Sequence, residues 1–317
     1  MPALKRLFRS SYAVLSLFVL VALLGLSAGC GGGSSDEPAL DGDAETNENA
    51  EQETESDTPQ EASLFVEGCP KAGEVWAKTI GNPLLAVQGP DAVSRVGDFL
   101  LMNDKAAFVI ESAEARNAYY LYGGIVVDAV ALKECKQAGP ERFEEIGFLM
   151  GNLVATDYTA SKLRAFRADK VEIINDGKDG KAAVVRATGS DDYFWIIEYE
   201  LMKSTINKGE RKAMTQPFGL TITVDYILPP NSGVLQIVVT YANETSAAQS
   251  LITAAEAMFG DTTTPRYYPF SSLAVSGISI DLGLPWLTAQ SDLGDGAWSF
   301  AMKGANFGTI NISGVTA

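Results

Sequence analysis

Residues 220–243 read LTITVDYILPPNSGVLQIVVTYAN. Leu220, Ile222, Val224, Tyr226 and Leu228 alternate with Thr221, Thr223, Asp225 and Ile227. The cluster Pro229-Pro230-Asn231-Ser232-Gly233 follows, and then Leu235, Ile237, Val239 and Tyr241 alternate with Gln236, Val238 and Thr240. Successive side chains of a strand point to opposite faces, so an apolar period of two marks a strand buried on one face. Turn formers between two such runs mark a hairpin.

The same grammar extends outward. Residues 96–102 form a strand pattern, turn at Asn103-Asp104-Lys105 and return through 106–111. Residues 171–174 and 182–188 flank a second turn, Asn175-Asp176-Gly177-Lys178-Asp179-Gly180. Residues 194–202 and 273–280 also read as strands, whereas helical signals are confined to short stretches at 61–66 and 160–168. Many short strands separated by Gly, Pro, Asn and Asp predict a mainly β protein, a large antiparallel β-sandwich spanning 64–317. No internal repeat of propeller length is present. The last residues, Val315-Thr316-Ala317, read as strand without a polar cap, the pattern expected where a domain is truncated.

The N-terminus has a different character. Lys5, Arg6 and Arg9 precede an uncharged, mostly apolar run at 13–26, followed by Ser27-Ala28-Gly29-Cys30. The run is shorter than the roughly 20 residues that span a bilayer as a helix, and it suits a signal peptide over 1–29. Small residues before a cysteine resemble the lipobox of bacterial lipoproteins, in which the thiol is acylated and becomes the new N-terminus. Ser27 stands where leucine is usual, with Leu26 one residue earlier. The resemblance implies lipidation of Cys30 and a partner in the membrane. Gly31 stands where an aspartate retains such proteins at the inner membrane, so the implied location is the outer membrane, facing the periplasm or the exterior.

Residues 31–63 hold eleven acids and no Lys, Arg or aromatic residue. Such a chain cannot bury enough apolar surface to offset its ordering entropy, and 30–63 is expected to be a disordered tether. Its root-mean-square span is roughly 30 Å. The whole chain carries 24 basic and 40 acidic residues, a net of −16, which argues against nucleic acid as a partner.

The cysteines are Cys30, Cys69 and Cys135. With Cys30 lipidated in an oxidising compartment, the remaining two are expected to form a disulfide. There is no histidine among the 317 residues, which removes His-based triads, His-ligated metals and the imidazole base. The chain also lacks GxSxG, SxxK, GxGxxG and Walker A patterns, and no cofactor is called for. Asp176 and Asp179 in NDGKDG, and Asp292 and Asp295 in SDLGDG, offer oxygens suited to calcium, but Asp-Gly pairs are ordinary turn chemistry and no metal is expected.

Paired carboxylates remain as a catalytic option, because glycoside hydrolysis needs two. Glu144, Glu145, Asp157, Glu198, Glu256 and Asp261 lie outside obvious turns. Tyr119, Tyr120, Tyr122, Trp195, Tyr267, Tyr268, Trp286 and Trp298 offer faces for stacking a sugar, although packing is the commoner use of such residues. The polar aromatic cluster Arg266-Tyr267-Tyr268 is the foremost ligand-binding candidate.

Gly89-Pro90-Asp91, then Arg95-Val96-Gly97-Asp98-Phe99-Leu100-Leu101, and Asn103-Asp104-Lys105 leading into Phe108-Val109-Ile110 resemble the opening of a β-sandwich region in large bacterial surface lipoproteins. Gly123-Gly124-Ile125-Val126-Val127-Asp128-Ala129 fits the same pattern. Residues 224–243 are similar to the supersandwich of galactose-mutarotase-like and glycan-associated domains. In some proteins that resemble this chain, the region precedes carboxypeptidase-regulatory-like modules and a PHP-type metallohydrolase domain. The resemblance covers 84–243. Mutarotases and PHP domains both depend on histidines, so neither activity is implied here, and a hydrolase would lie beyond Ala317. The function expected is a non-catalytic binding or scaffold module for a glycan or a surface protein. The alternative is a carboxylate-dependent glycan-active enzyme, or the accessory part of a larger hydrolase.

Overall fold

The computed structural model describes residues 68–114, 120–152, 162–194, 216–259, 266–267, 279–284, 286–290, 297–303 and 307–311. The expected signal peptide and tether, with Cys30, therefore lie outside the described residues, as does the helical signal at 61–66. The main body is one antiparallel sheet built from β1 (Val75–Thr79), β2 (Phe99–Asn103), β3 (Ala106–Ile110), β4 (Val126–Lys133), β5 (Lys136–Gln137), β6 (Phe143–Asn152), β7 (Lys162–Asn175), β8 (Ala183–Tyr193), β9 (Leu220–Leu228), β10 (Gln236–Asn243) and β11 (Ile252–Phe259). A mainly β, antiparallel architecture is what the period-two patterning requires.

The spatial order is β1-β2-β3-β4-β6-β7-β8-β9-β10, with β5 hydrogen-bonded to β4 and β11 to β6. β6 is the branch point. Val126 of β4 pairs with Ile146, residues 149–152 pair with β7, and β11 lies along β6 from Phe143 to Gly151. The layers arise by curling this one sheet, so that β1 and β2 pack over β7, β8 and β9. Val75, Leu101, Ile110, Phe166, Val224 and Tyr226 are all essentially buried between them. The remaining strands, β12 (Arg266–Tyr267), β13 (Ser279–Leu284), β14 (Trp286–Gln290), β15 (Ala297–Ala301) and β16 (Phe307–Asn311), form a three-stranded sheet β12-β14-β15 and a β13-β16 pair. The Trp298 indole N–H donates to the Ala129 carbonyl at 3.0 Å, which ties β15 to β4.

The three hairpins read from sequence are present as β2-β3, β7-β8 and β9-β10. In β9 the inward residues Leu220, Ile222, Val224, Tyr226 and Leu228 are buried, while the residues between them are exposed or half-buried. The turn after β7 also docks: the Ala77 amide donates to the Asp176 carbonyl at 3.1 Å. Gly177 is required there, because its φ is +83° and a Cβ would lie 2.2 Å from the Val75 carbonyl oxygen.

The helical signal at 160–168 is overturned over its described part, since residues 162–168 belong to the fourteen-residue strand β7. Cross-strand pairing to β6 and β8, with Arg164 held by Asp191 on β8, outweighs a weak local propensity. Of the strand expected at 194–202 only Phe194 is described, and it follows the end of β8. Of the strand at 273–280, Ser279 and Ile280 lie in β13 and the rest is outside the described residues. Cys69 and Cys135 form the expected disulfide, with Cα atoms 5.7 Å apart.

Candidate functional site

The branch at β6 brings carboxylates together. Glu145 and Gly147 share one face of β6, and Gly147 stands opposite Glu256 on β11, so both glutamates project to the same side. Gly147 leaves a slot that Tyr120 fills: a Cβ at residue 147 would lie 2.0 Å from Tyr120 Cζ. From that slot Tyr120 reaches both acids. Its backbone N–H donates to Glu145 Oε1 at 3.0 Å, and its phenol O–H donates to Glu256 Oε2 at 2.8 Å. The Tyr120 ring stacks on Phe194 with centroids 5.8 Å apart.

Glu111, one residue beyond β3, is fully buried and adds a third carboxylate to the cluster. Glu145 is only 2% exposed, and its Oε2 is buried without a hydrogen-bond partner among the described residues. Burial, reinforced by the charges of Glu111, Glu144 and Glu256, pushes Glu145 up to about 8, against the lowering effect of the Tyr120 amide. Burial also raises Glu256, partly offset by the Tyr120 hydroxyl. Glu144 is half-buried on the other face of β6, raised by burial and by Asp91.

A second buried pair lies at Asp128 and Glu141. Asp128 accepts the Val93 and Ser94 amides at 3.0 and 2.9 Å, and Glu141 Oε1 accepts the Phe143 amide at 2.7 Å. Beside it, Ala129, Pro140 and Trp298 help line a cavity of about 30 Å³, room for a water molecule and too small for a sugar ring. Asp191 is used in the same manner as Asp128, taking the amides of Phe218, Gly219 and Leu220.

Among the candidates read from sequence, Glu144, Glu145, Glu256 and Tyr120 are gathered at β6. Asp157, Glu198, Asp261, Asp292, Asp295, Tyr119, Trp195 and Tyr268 lie outside the described residues. Arg266 and Tyr267 form β12, opposite Ala289 and Thr288 of β14. Asp176 pairs with Lys178, and Asp179 accepts the Lys181 amide at 3.0 Å, which is turn chemistry. Tyr122 is half-buried and donates its hydroxyl to the Tyr193 carbonyl at 3.0 Å. Trp286 is 39% exposed. Among the described residues, no group of three or more Cys, Asp or Glu is placed to hold a metal ion.

Glu111, Glu141, Arg164 and Asp191 did not stand out by motif, and Asp128 entered only within the stretch 123–129. A signal existed for Glu111 and Asp191: each continues an inward alternation, after Ala107 and Val109 and after Ala187 and Gly189, with a charge where an apolar residue is due. No protein-family model, curated protein or solved structure matches the chain.

Proposed function

We propose that the chain is a lipid-anchored protein of the bacterial cell envelope, held at the outer membrane through Cys30 and spaced from it by the acidic segment 30–63. Its β-sandwich serves as a non-catalytic binding or scaffold module for a glycan or a surface protein. The Cys69–Cys135 bond supports an oxidising compartment. The reading rests chiefly on one observation: the buried acids serve as backbone anchors. Asp128, Glu141, Glu145 and Asp191 each accept main-chain amides from neighbouring segments. Carboxylates committed in that way organise loops and do not face a substrate in water.

Recognition falls instead to exposed and half-buried polar groups on the sheet. Thr188, Thr223 and Thr240 stand in register across β8, β9 and β10, beside the Arg186–Asp225 ion pair. Hydroxyls and a held guanidinium are groups that hydrogen-bond sugars or polar protein surface. The enzymatic alternative draws on one observation, the placement of Glu145 and Glu256 on one face with Tyr120 between them.

The full-length chain, produced in a bacterial host and extracted in mild detergent, tests both readings. Mass spectrometry of the mature N-terminus is expected to find diacylglycerol on Cys30. A glycan array and a surface-protein pull-down are expected to return a ligand without turnover. An unmodified Cys30, or glycan cleavage that disappears in both Glu145→Gln and Glu256→Gln, overturns the corresponding half of the proposal.

A further inference from the structure

Glu145 has an atom to spare. Its Oε1 is committed to the Tyr120 amide, whereas Oε2 is buried without a hydrogen-bond partner among the described residues. The groups around it are acidic on each element: Glu144 on β6 itself, Glu256 on β11, and Glu111 at the end of β3, which in turn faces the buried phenol of Tyr226 on β9. A carboxylate buried among carboxylates is costly unless it keeps its proton, and Oε2 is the atom left to carry it. Tyr120 is the mechanical link, since it joins Glu145 at one end and Glu256 at the other while lying in the slot above Gly147. β11 pairs with β6 and with no other strand among the described residues, so its release breaks a single strand pairing and leaves the order β1 to β10 intact.

We propose that Tyr120 and the Glu111–Glu145–Glu256 cluster form a proton-dependent latch that clamps β11 to β6 and opens when Glu145 loses its proton to alkaline medium. With the proton on Oε2, the cluster holds fewer like charges and Tyr120 bridges two acids at once. Loss of that proton to solvent leaves a buried anion beside Glu111 and Glu256. Hydration of the anion requires β11 and Tyr120 to move apart. An ectodomain would thereby expose the edge of β6 in response to the pH outside the cell.

Hydrogen–deuterium exchange of the full-length protein, corrected for the intrinsic pH dependence of exchange, reads the latch directly. Between about pH 6 and about pH 9.5, β11 amides are expected to lose about tenfold in protection relative to β9 amides. In Glu145→Gln that ratio is expected to hold within about twofold across the same range, because the amide cannot ionise. Glu256→Gln, read in parallel, is expected to move the transition to lower pH, because it removes a neighbouring charge that helps Glu145 keep its proton. Glu141→Gln, whose carboxyl is paired with Asp128 and is not among the charges acting on Glu145, is expected to leave the β11 transition in place. A wild-type ratio unchanged with pH, or the same loss in Glu145→Gln as in wild type, overturns the proposal. If Glu145→Gln does not fold, the wild-type profile together with an unmoved transition in Glu256→Gln does so.

Discussion

Asn103, in the turn that joins β2 to β3, donates its side-chain N–H groups to the Pro229 carbonyl at 2.9 Å and to the Ser232 carbonyl at 2.7 Å. Its Oδ1 accepts the amides of Lys105 and Ala106 at 2.8 and 3.0 Å. The turns of two hairpins far apart in sequence are thereby fastened to each other. This is where the curled sheet meets itself, with β2 over β9. The side chain is fully buried and all its polar capacity is used.

Asn103→Ala is expected to destabilise the fold by about 2 to 3 kcal/mol, because two carbonyls and two amides lose their buried partner. Asn103→Asp keeps the acceptor side but presents an anion to two carbonyls, and is expected to be no better. Urea unfolding of the three proteins decides it. Equal midpoints would mean that the turns are held by backbone contacts alone.

Arg164 and Asp191 form a buried ion pair in the sheet, with Arg164 Nε 3.0 Å from Asp191 Oδ2 and both side chains under 5% exposed. Asp191 also takes three amides from residues 218–220, so it organises the entry to β9. Asp191→Ala removes the nearest carboxylate from a buried guanidinium and the acceptor of three amides, and is expected to cost about 3 to 5 kcal/mol. Arg164→Met leaves Asp191 with its three amides and is expected to cost distinctly less. The double variant should fall below the sum of the single costs. Strict additivity in a thermal or urea cycle would refute the coupling.

Residue order exposed the strands because burial on one face imposes a period of two. It concealed the acids because their roles depend on elements distant in the chain. Glu256 opposes Gly147 only through the β6–β11 register, and no local signal specifies that pairing. The strand at 162–168 was obscured for a related reason. Arg164 occupies an inward position that looks polar until Asp191 is known to face it. The Cys69–Cys135 pairing was legible because only two cysteines remain once Cys30 is set aside.

Glu134 and Cys135 form a two-residue turn between the paired residues Lys133 and Lys136, with φ of +52° and +66°. Hairpins of this type favour Asn-Gly, since positive φ strains other side chains by about 1 to 2 kcal/mol each. The bond to Cys69 closes a span of 66 residues. Replacing both cysteines with serine is expected to cost about 4 kcal/mol. In a Cys69→Ser background, Glu134→Asn with Cys135→Gly should recover about 1 to 2 kcal/mol over Cys135→Ser by removing the strain. No recovery in denaturant midpoint would show that the turn is unstrained.

Glu141 sets the pH dependence of stability away from the latch. Burial, followed by the charge of Asp128, pushes it up to about 9 from its ordinary 4.5. Burial likewise pushes Asp128 up to about 7 from 3.8, against the hydrogen bonds from Ser94 and Val93. The unfolded chain releases both protons near the ordinary values, while the folded chain keeps them longer. Between those limits the folded state binds more protons. Its stability is fully present below about pH 4 and is lost as pH rises through about 7 for Asp128 and about 9 for Glu141. Each such proton contributes a slope of about 1.4 kcal/mol per pH unit. Glu141→Gln keeps an oxygen for the Phe143 amide and cannot ionise, so it should remove one proton from that slope. Urea unfolding at intervals between about pH 5 and about pH 9 measures it directly. Parallel curves for wild type and Glu141→Gln would mean that Glu141 is ionised in the folded protein throughout.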